Sequence, residues 1–172
     1  WILDKLEGSL HYHIPTVLKI KGKLNISALE RSIHAIVERH EVLRTVISED
    51  IGYGFQQIKN ADNWKLNIKD ISSDNLRPIE LNAIIDSIIT KPFNLLEDFM
   101  LRADLLQLDL NEFVLVITLH HIASDGWSAS ILVKEFTELY EAFSTQKEPE
   151  LKPLLLQYLD YTFWQRRFLQ GD

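Results

Sequence analysis

The sequence predicts the α/β class, with helices packed against a β-sheet, and three features carry that prediction. Apolar runs at strand spacing alternate along the chain with stretches at helical spacing. One run, "EFVLVITLHH" from Glu112, is apolar on both faces, as a central strand would be. Hydrophobic residues make up 46% of 172, enough to fill the core of one ordinary domain.

Each element follows from local pattern. "TVLKIKG" reads as a strand closed by Gly22. "NISALERSIHAIVERHE" switches to helical spacing, with Leu29, Ile33, Ile36, Val37 and His40 on one face and Asn25 or Ser27 as N-cap. "VLRTVIS" and "FQQIK" flank "EDIGYG", whose glycines suit a hairpin, and "KLNIKDI" is a further short strand. A helix is expected over 75–90, stopping near Pro92 because proline restricts the residue before it. "FMLRADLLQLD" and "EFVLVITLHH", separated only by "LN", form an antiparallel hairpin that delivers His120 and His121 to the sheet edge. "WSASILVKEFTELYEAF" is helical, with Asp125 or Ser128 at its start. After the linker-like "STQKEPELKP", a last helix is expected over "LLLQYLDYTFWQRRFL".

Composition removes several functions. A net charge of −7 with scattered basic residues offers no field for collecting phosphates, so nucleic-acid binding is not expected. With no cysteine there is no thiolate nucleophile, zinc–thiolate site or disulfide. No apolar run approaches the roughly 20 residues of a membrane-spanning helix and no signal pattern opens the chain, so a cytoplasmic location is the default. The opening "WILDKLEG" lacks a methionine, which suggests a segment of a longer polypeptide.

"LHHIASDGWS", Leu119 to Ser128, joins a strand end to a helix start. Neighbouring histidines on a strand point to opposite faces, so one of His120 and His121 faces the core. From spacing alone three readings stand: a polar turn with satisfied histidines, a metal site, and a catalytic loop. Adjacent ligands on opposite faces do not readily converge, which weighs against metal. If His121 is the outward one, its imidazole can take a proton from an attacking amine or alcohol. Asp125 could orient a histidine or pair with a cation, and Gly126 permits a tight turn and close backbone approach. His11, His13, His34 and His40 read as structural.

"HHIASDG" resembles the HHxxxDG signature of nonribosomal peptide synthetase condensation domains, in the chloramphenicol-acetyltransferase-like superfamily. "WILDKLEGSLHYHIP" looks like the tail of that family's first motif, "RHEVLRT" its second, "LHHIASDGWS" its third and "YLDYTFWQRRF" its fourth. The resemblance implies an acetyltransferase-like lobe, a mixed β-sheet packed with helices in an α+β sandwich. Residues 1–172 would be the N-terminal lobe, with the C-terminal lobe absent.

The implied reaction is amide formation. The amine of one carrier-bound aminoacyl group attacks the thioester of another, with both substrates on phosphopantetheine arms and no cofactor or metal bound directly. The implied partners are donor and acceptor peptidyl carrier proteins, the other lobe and a neighbouring adenylation domain. His121 is the implied catalytic residue, as general base or as the group holding the amine. His120, Asp125, Gly126 and Arg44 would support the site, with Arg44 the candidate partner of Asp125. Gly126, Trp127 and Ser128 would line it, although an aromatic such as Trp127 is more often core packing. Tyr158, Tyr161, Phe163 and Trp164 read as helix packing at the lobe boundary. The rival readings are a coenzyme A-dependent acyltransferase of the same superfamily, in which the loop sits close to the C-terminus, and a docking lobe without catalysis. An epimerising relative typically differs after the glycine, and a cyclising one replaces the histidines by aspartates. "HHIASDGWS" leans weakly toward members that join two L-configured residues. The lobe alone is expected to condense nothing.

Overall fold

The computed structural model describes residues 10–50, 53–74 and 76–170. Its strands are β1 (His13–Lys21), β2 (Thr45–Asp50), β3 (Tyr53–Ile58), β4 (Asn67–Asp70), β5 (Leu101–Asp109) and β6 (Glu112–His120). Its helices are α1 (Ile26–Arg39), α2 (Pro78–Ile89), α3 (Gly126–Ser144) and α4 (Tyr158–Gln170).

The main sheet runs β1–β6–β5–β4. β6 is antiparallel to both neighbours and β4 joins β5 in parallel, so the sheet is mixed. The central place of β6 explains its composition, because alternate side chains enter cores on both faces. Phe113, Leu115 and Leu119 join Leu101, Ala103 and Leu105 under α1 and α3, against Leu29, Ile33, Val37 and Leu139. Val114, Val116 and Leu106 meet Leu81, Ile84, Ile85 and Ile88 of α2. The result is three layers, two helices on one face of the sheet and one on the other. β2 and β3 form a separate hairpin, fastened near the β5–β6 edge by Ile47 N–H to the Leu95 carbonyl and Met100 N–H to the Leu43 carbonyl, each 2.8 Å.

Several boundaries differ from expectation for identifiable reasons. β1 starts at His13 and takes in Pro15, which is tolerated because β1 is an edge strand and needs no donor on its outer side. Gly22 ends it at φ +111°, with its N–H on the Asn111 carbonyl at 2.8 Å. Asn25, not Ser27, caps α1, its side-chain oxygen accepting from Ala28 N–H at 3.0 Å. α1 stops at Arg39, so His40 lies just beyond the helix, in extended backbone that leads into the single turn Glu41–Arg44.

α2 begins at Pro78, where a missing N–H costs nothing; Asn75 lies outside the described residues. α4 begins at Tyr158 rather than Leu154. Asp160 accepts the Gln157 N–H at 2.8 Å, closing the helix start there. The Gln157 side chain then bridges two elements, donating to the Arg39 carbonyl at 2.9 Å and accepting from Glu41 N–H at 3.2 Å. Leu155 ahead of it stands 94% exposed. Among the described residues no helix is long and apolar enough to cross a membrane.

Candidate functional site

β6 hands the chain to the loop under restraint from both sides. His120 N–H donates to the Met100 carbonyl at 3.0 Å, while His121 N–H donates to the Tyr12 carbonyl at 2.7 Å. Ala123 N–H returns to the His120 carbonyl at 3.0 Å, so the chain turns sharply. The histidine backbones are thus held on one side by the entry to β5 and on the other by the residue before β1.

The two histidines part as strand alternation requires. His120 is 3% exposed, with the rings of Phe93, Tyr12 and His13 centred 5.4, 6.1 and 6.3 Å away. Its Nδ1 accepts the Ile122 N–H at 3.1 Å. That nitrogen therefore carries no proton, the ring proton sits on Nε2, and the buried ring braces the loop from beneath. His121 is exposed, and its imidazole makes no hydrogen bond among the described residues. A ring held by a fixed backbone, with its nitrogens uncommitted, is available to a substrate proton.

Asp125 does not orient either histidine. Its Oδ1 accepts from Ser128 N–H at 2.8 Å and from the Ser128 hydroxyl at 2.6 Å, which makes it the N-cap of α3. These two bonds, the hydroxyl's first, hold the carboxyl below its ordinary value of 3.8. A depressed pKa means that the cap contributes fully above the unfolded value of about 3.9 and is lost as pH falls through the lowered one. The Ser128 amide resonance is accordingly expected to titrate with a midpoint below 3.8, and Asp125→Ala to abolish that titration. A midpoint at or above the unfolded value would contradict the capping role.

The expected Arg44–Asp125 pair is not formed. Arg44 is engaged elsewhere, donating from a terminal nitrogen to the Lys59 carbonyl at 2.7 Å and from Nε to the Glu38 carbonyl at 3.3 Å, with Glu41 at 3.5 Å. It ties the end of α1 and the turn after it to the end of β3, while Asp125 is satisfied locally. Arg44→Ala is expected to cost about 1–3 kcal/mol, because it removes charge-assisted hydrogen bonds to the Lys59 and Glu38 carbonyls. Urea denaturation measures this; lost chemistry at unchanged stability would contradict it.

Gly126 opens α3 with no heavy atom within 4 Å of where a Cβ would stand. A side chain there meets nothing of this chain, so any obstruction would fall on what lies over the loop. Trp127 is 80% exposed, which corrects its reading as core packing. The first turn of α3 points it away from the layers beneath. Ser128 spends its hydroxyl on Asp125. Among the described residues no cluster of His, Asp and Glu is placed to hold a metal.

Tyr158, Tyr161 and Trp164 form a ring ladder continued by Phe168, with successive centroids 5.9, 5.8 and 5.5 Å apart. These rings are exposed, so they pack on one another rather than into the core of this chain, and Phe163 is exposed as well. His34 packs edge-on near Trp64, and His13 Nδ1 lies 2.7 Å from the Ile89 carbonyl, both in structural surroundings. His11 is exposed in the turn before β1.

Glu135 escaped the sequence reading. Buried in α3, it accepts from Arg39 Nε at 3.1 Å and meets His40 Nε2 at 2.6 Å. The signal was an acid at helical spacing from Leu132 and Leu139, inside the apolar stripe, which calls for a cation in a facing element. The "WILDKLEGS" part of the first motif lies outside the described residues.

The family model described as "Condensation domain" matches residues 1–172. A linear gramicidin synthase of Brevibacillus parabrevis is 40% identical over 176 residues, covering 100% of this chain and 2% of that protein. The X-domain from teicoplanin biosynthesis aligns with TM-score 0.83 and 31% identity over 93% of this chain and 34% of its own. The starter condensation domain of rhizomide synthetase, at 17% identity, shares the fold with TM-score 0.85 over 100% of this chain and 42% of its own. This chain therefore spans well under half of those solved structures and a small part of the synthase. With the motifs, the mixed sheet and the whole-length match in agreement, the chain belongs to the condensation-domain family.

Proposed function

We propose that this chain is the N-terminal lobe of a condensation domain and carries the loop at which nonribosomal peptide bonds are made. The single observation that carries the reading is the division of labour at the end of β6, with His120 buried as a brace and His121 turned outward on a fixed backbone. The amine of the acceptor aminoacyl group attacks the donor's thioester carbonyl. The C–N bond forms, the C–S bond breaks, and the sulfur leaves on its phosphopantetheine arm. The amine's proton passes to the His121 imidazole, which then returns it to the leaving thiolate.

Binding both acyl groups through carrier proteins removes the entropy of a bimolecular encounter, so positioning supplies a large share of the rate. Donor and acceptor peptidyl carrier proteins are the partners in this reading, with the second lobe closing the site and an adenylation domain as neighbour. The 40% identity to a linear gramicidin synthase supports it.

The test is amide formation with loaded carrier proteins, run on this chain alone, on a complete domain containing it, and on that domain with His121→Ala. Product is expected only from the complete domain, and sharply less from the variant. Product from the isolated chain would overturn the need for a second lobe, and an unaffected variant would overturn the role of His121.

A further inference from the structure

We infer that the Asp125–Gly126 peptide is a covalent modification site, where the aspartate isomerises through a cyclic imide whenever its bonds to Ser128 open. The chemistry belongs to the chain itself and is independent of the condensing reading; only its effect on activity rests on that reading.

Residue types set the reaction. The backbone nitrogen after an aspartate can attack the side-chain carboxyl carbon and close a five-membered ring. The C–N bond forms as the carboxyl C–O bond breaks, and the hydroxyl leaves with the amide proton as water. Water then adds back to either ring carbonyl. Opening at the side-chain carbonyl restores aspartate, whereas opening at the backbone carbonyl leaves the main chain running through the side chain as isoaspartate. A Cβ on the attacking residue hinders closure, so glycine is the most permissive neighbour. The sequence holds a single Asp–Gly step, at 125–126, and no Asn–Gly.

The structure supplies both reactivity and restraint. Asp125 and Gly126 are exposed, so water reaches the ring. Gly126 opens α3, and its N–H has no carbonyl within the helix to bind. The absence of any heavy atom within 4 Å of its Cβ position leaves room for closure. Against this, Asp125 Oδ1 is pinned by the Ser128 N–H at 2.8 Å and the Ser128 hydroxyl at 2.6 Å, on extended backbone with ψ −176°. Ring closure must turn the carboxyl onto the Gly126 nitrogen and give up both bonds. They also keep the carboxyl ionised to below its ordinary 3.8, and a carboxylate lacks the hydroxyl that has to leave. Isomerisation is therefore slow in the fold and follows the opening of the cap.

Its consequence falls on the loop. Isoaspartate adds one methylene to the main chain at the strand-to-helix corner and moves the capping carboxylate out of place. The corner that aims His121 is then lost.

The experiment incubates a complete condensation domain containing this chain in warm, mildly acidic buffer, folded and in urea, and follows the peptide carrying residue 125 by chromatography and mass spectrometry. Isoaspartate appears as a separate peak of unchanged mass that an aspartate-specific endoproteinase leaves uncut. It should accumulate readily in urea and slowly in the folded domain. Ser128→Ala should raise the folded rate by about tenfold, the low end for a hydrogen bond to a charged group. Ser128→Thr keeps both donors and should restore the parent rate, and Gly126→Ala should suppress the product in either state. Glu135→Ala loosens the fold while leaving the cap bonds in place, so it separates the cap from global opening. No rise from Ser128→Ala, or an equal rise from Glu135→Ala, overturns control by the cap. No isoaspartate at residue 125 in urea overturns the site itself. Amide formation should fall in step with the isomerised fraction, and full activity in isomerised protein would overturn the consequence for His121.

Discussion

Replacing His121 by alanine in a complete condensation domain is expected to lower kcat for amide formation by about 10²–10⁴-fold, the range a positioned acid–base group supplies. Folding should be unaffected. The imidazole is exposed and bonds to nothing among the described residues, and the restraint on its backbone runs through its N–H to the Tyr12 carbonyl, which alanine keeps. The paired measurements are product formation at saturating carrier proteins and the urea midpoint. His120→Ala is the contrasting control, because it removes a buried ring and the acceptor for the Ile122 N–H. That variant should lose stability first. A fall of less than tenfold for His121→Ala at unchanged stability would mean that tethering alone carries the reaction.

The second large effect concerns the packing of α1 on α3. Glu135→Ala is expected to destabilise the fold by about 3–5 kcal/mol, because it leaves a mostly buried guanidinium without its carboxylate. The side chains of Arg39 and His40 are 17% and 16% exposed and that of Glu135 10%, so water screens the cluster poorly. Glu135→Gln, which keeps the shape and one acceptor oxygen, should cost less. Chemical denaturation of the three proteins gives the comparison. A loss below about 1 kcal/mol for the alanine variant would place this cluster among ordinary surface pairs.

What could be read from the sequence divides along physical lines. β6 was legible because burial on both faces leaves a continuous apolar run, and the opposed histidines followed from strand alternation. The hairpin around Leu110 and Asn111 was legible because its turn is short. The parallel seat of β4 on β5 was not, since four exposed residues carry no pattern that names a partner. The true start of α4 depends on Gln157 reaching Arg39 and Glu41 across the fold, contacts that local spacing does not encode.

At the site, the motif singles out His121 and Asp125 but does not say what Asp125 does. An aspartate three residues before a serine can cap a helix or reach a distant cation, and only the fold decides between them. Arg44 illustrates the same limit, its guanidinium being committed to backbone carbonyls near its own turn. Glu135 was detectable as an acid within an apolar stripe, though its partners Arg39 and His40 lie at the end of another helix and just beyond it.

The contrast between Trp127 and Trp64 has an optical consequence. Trp64 is enclosed, its indole N–H bound to the Leu101 carbonyl at 2.9 Å, whereas Trp127 stands in solvent at the first turn after the loop and Trp164 on the outer ladder. Emission should therefore divide into a blue, iodide-resistant component and a red, readily quenched one. A carrier arm or second lobe settling over residue 127 would shield its indole, so loss of quenching in a background with Trp1→Phe and Trp164→Phe would report occupancy without any added label.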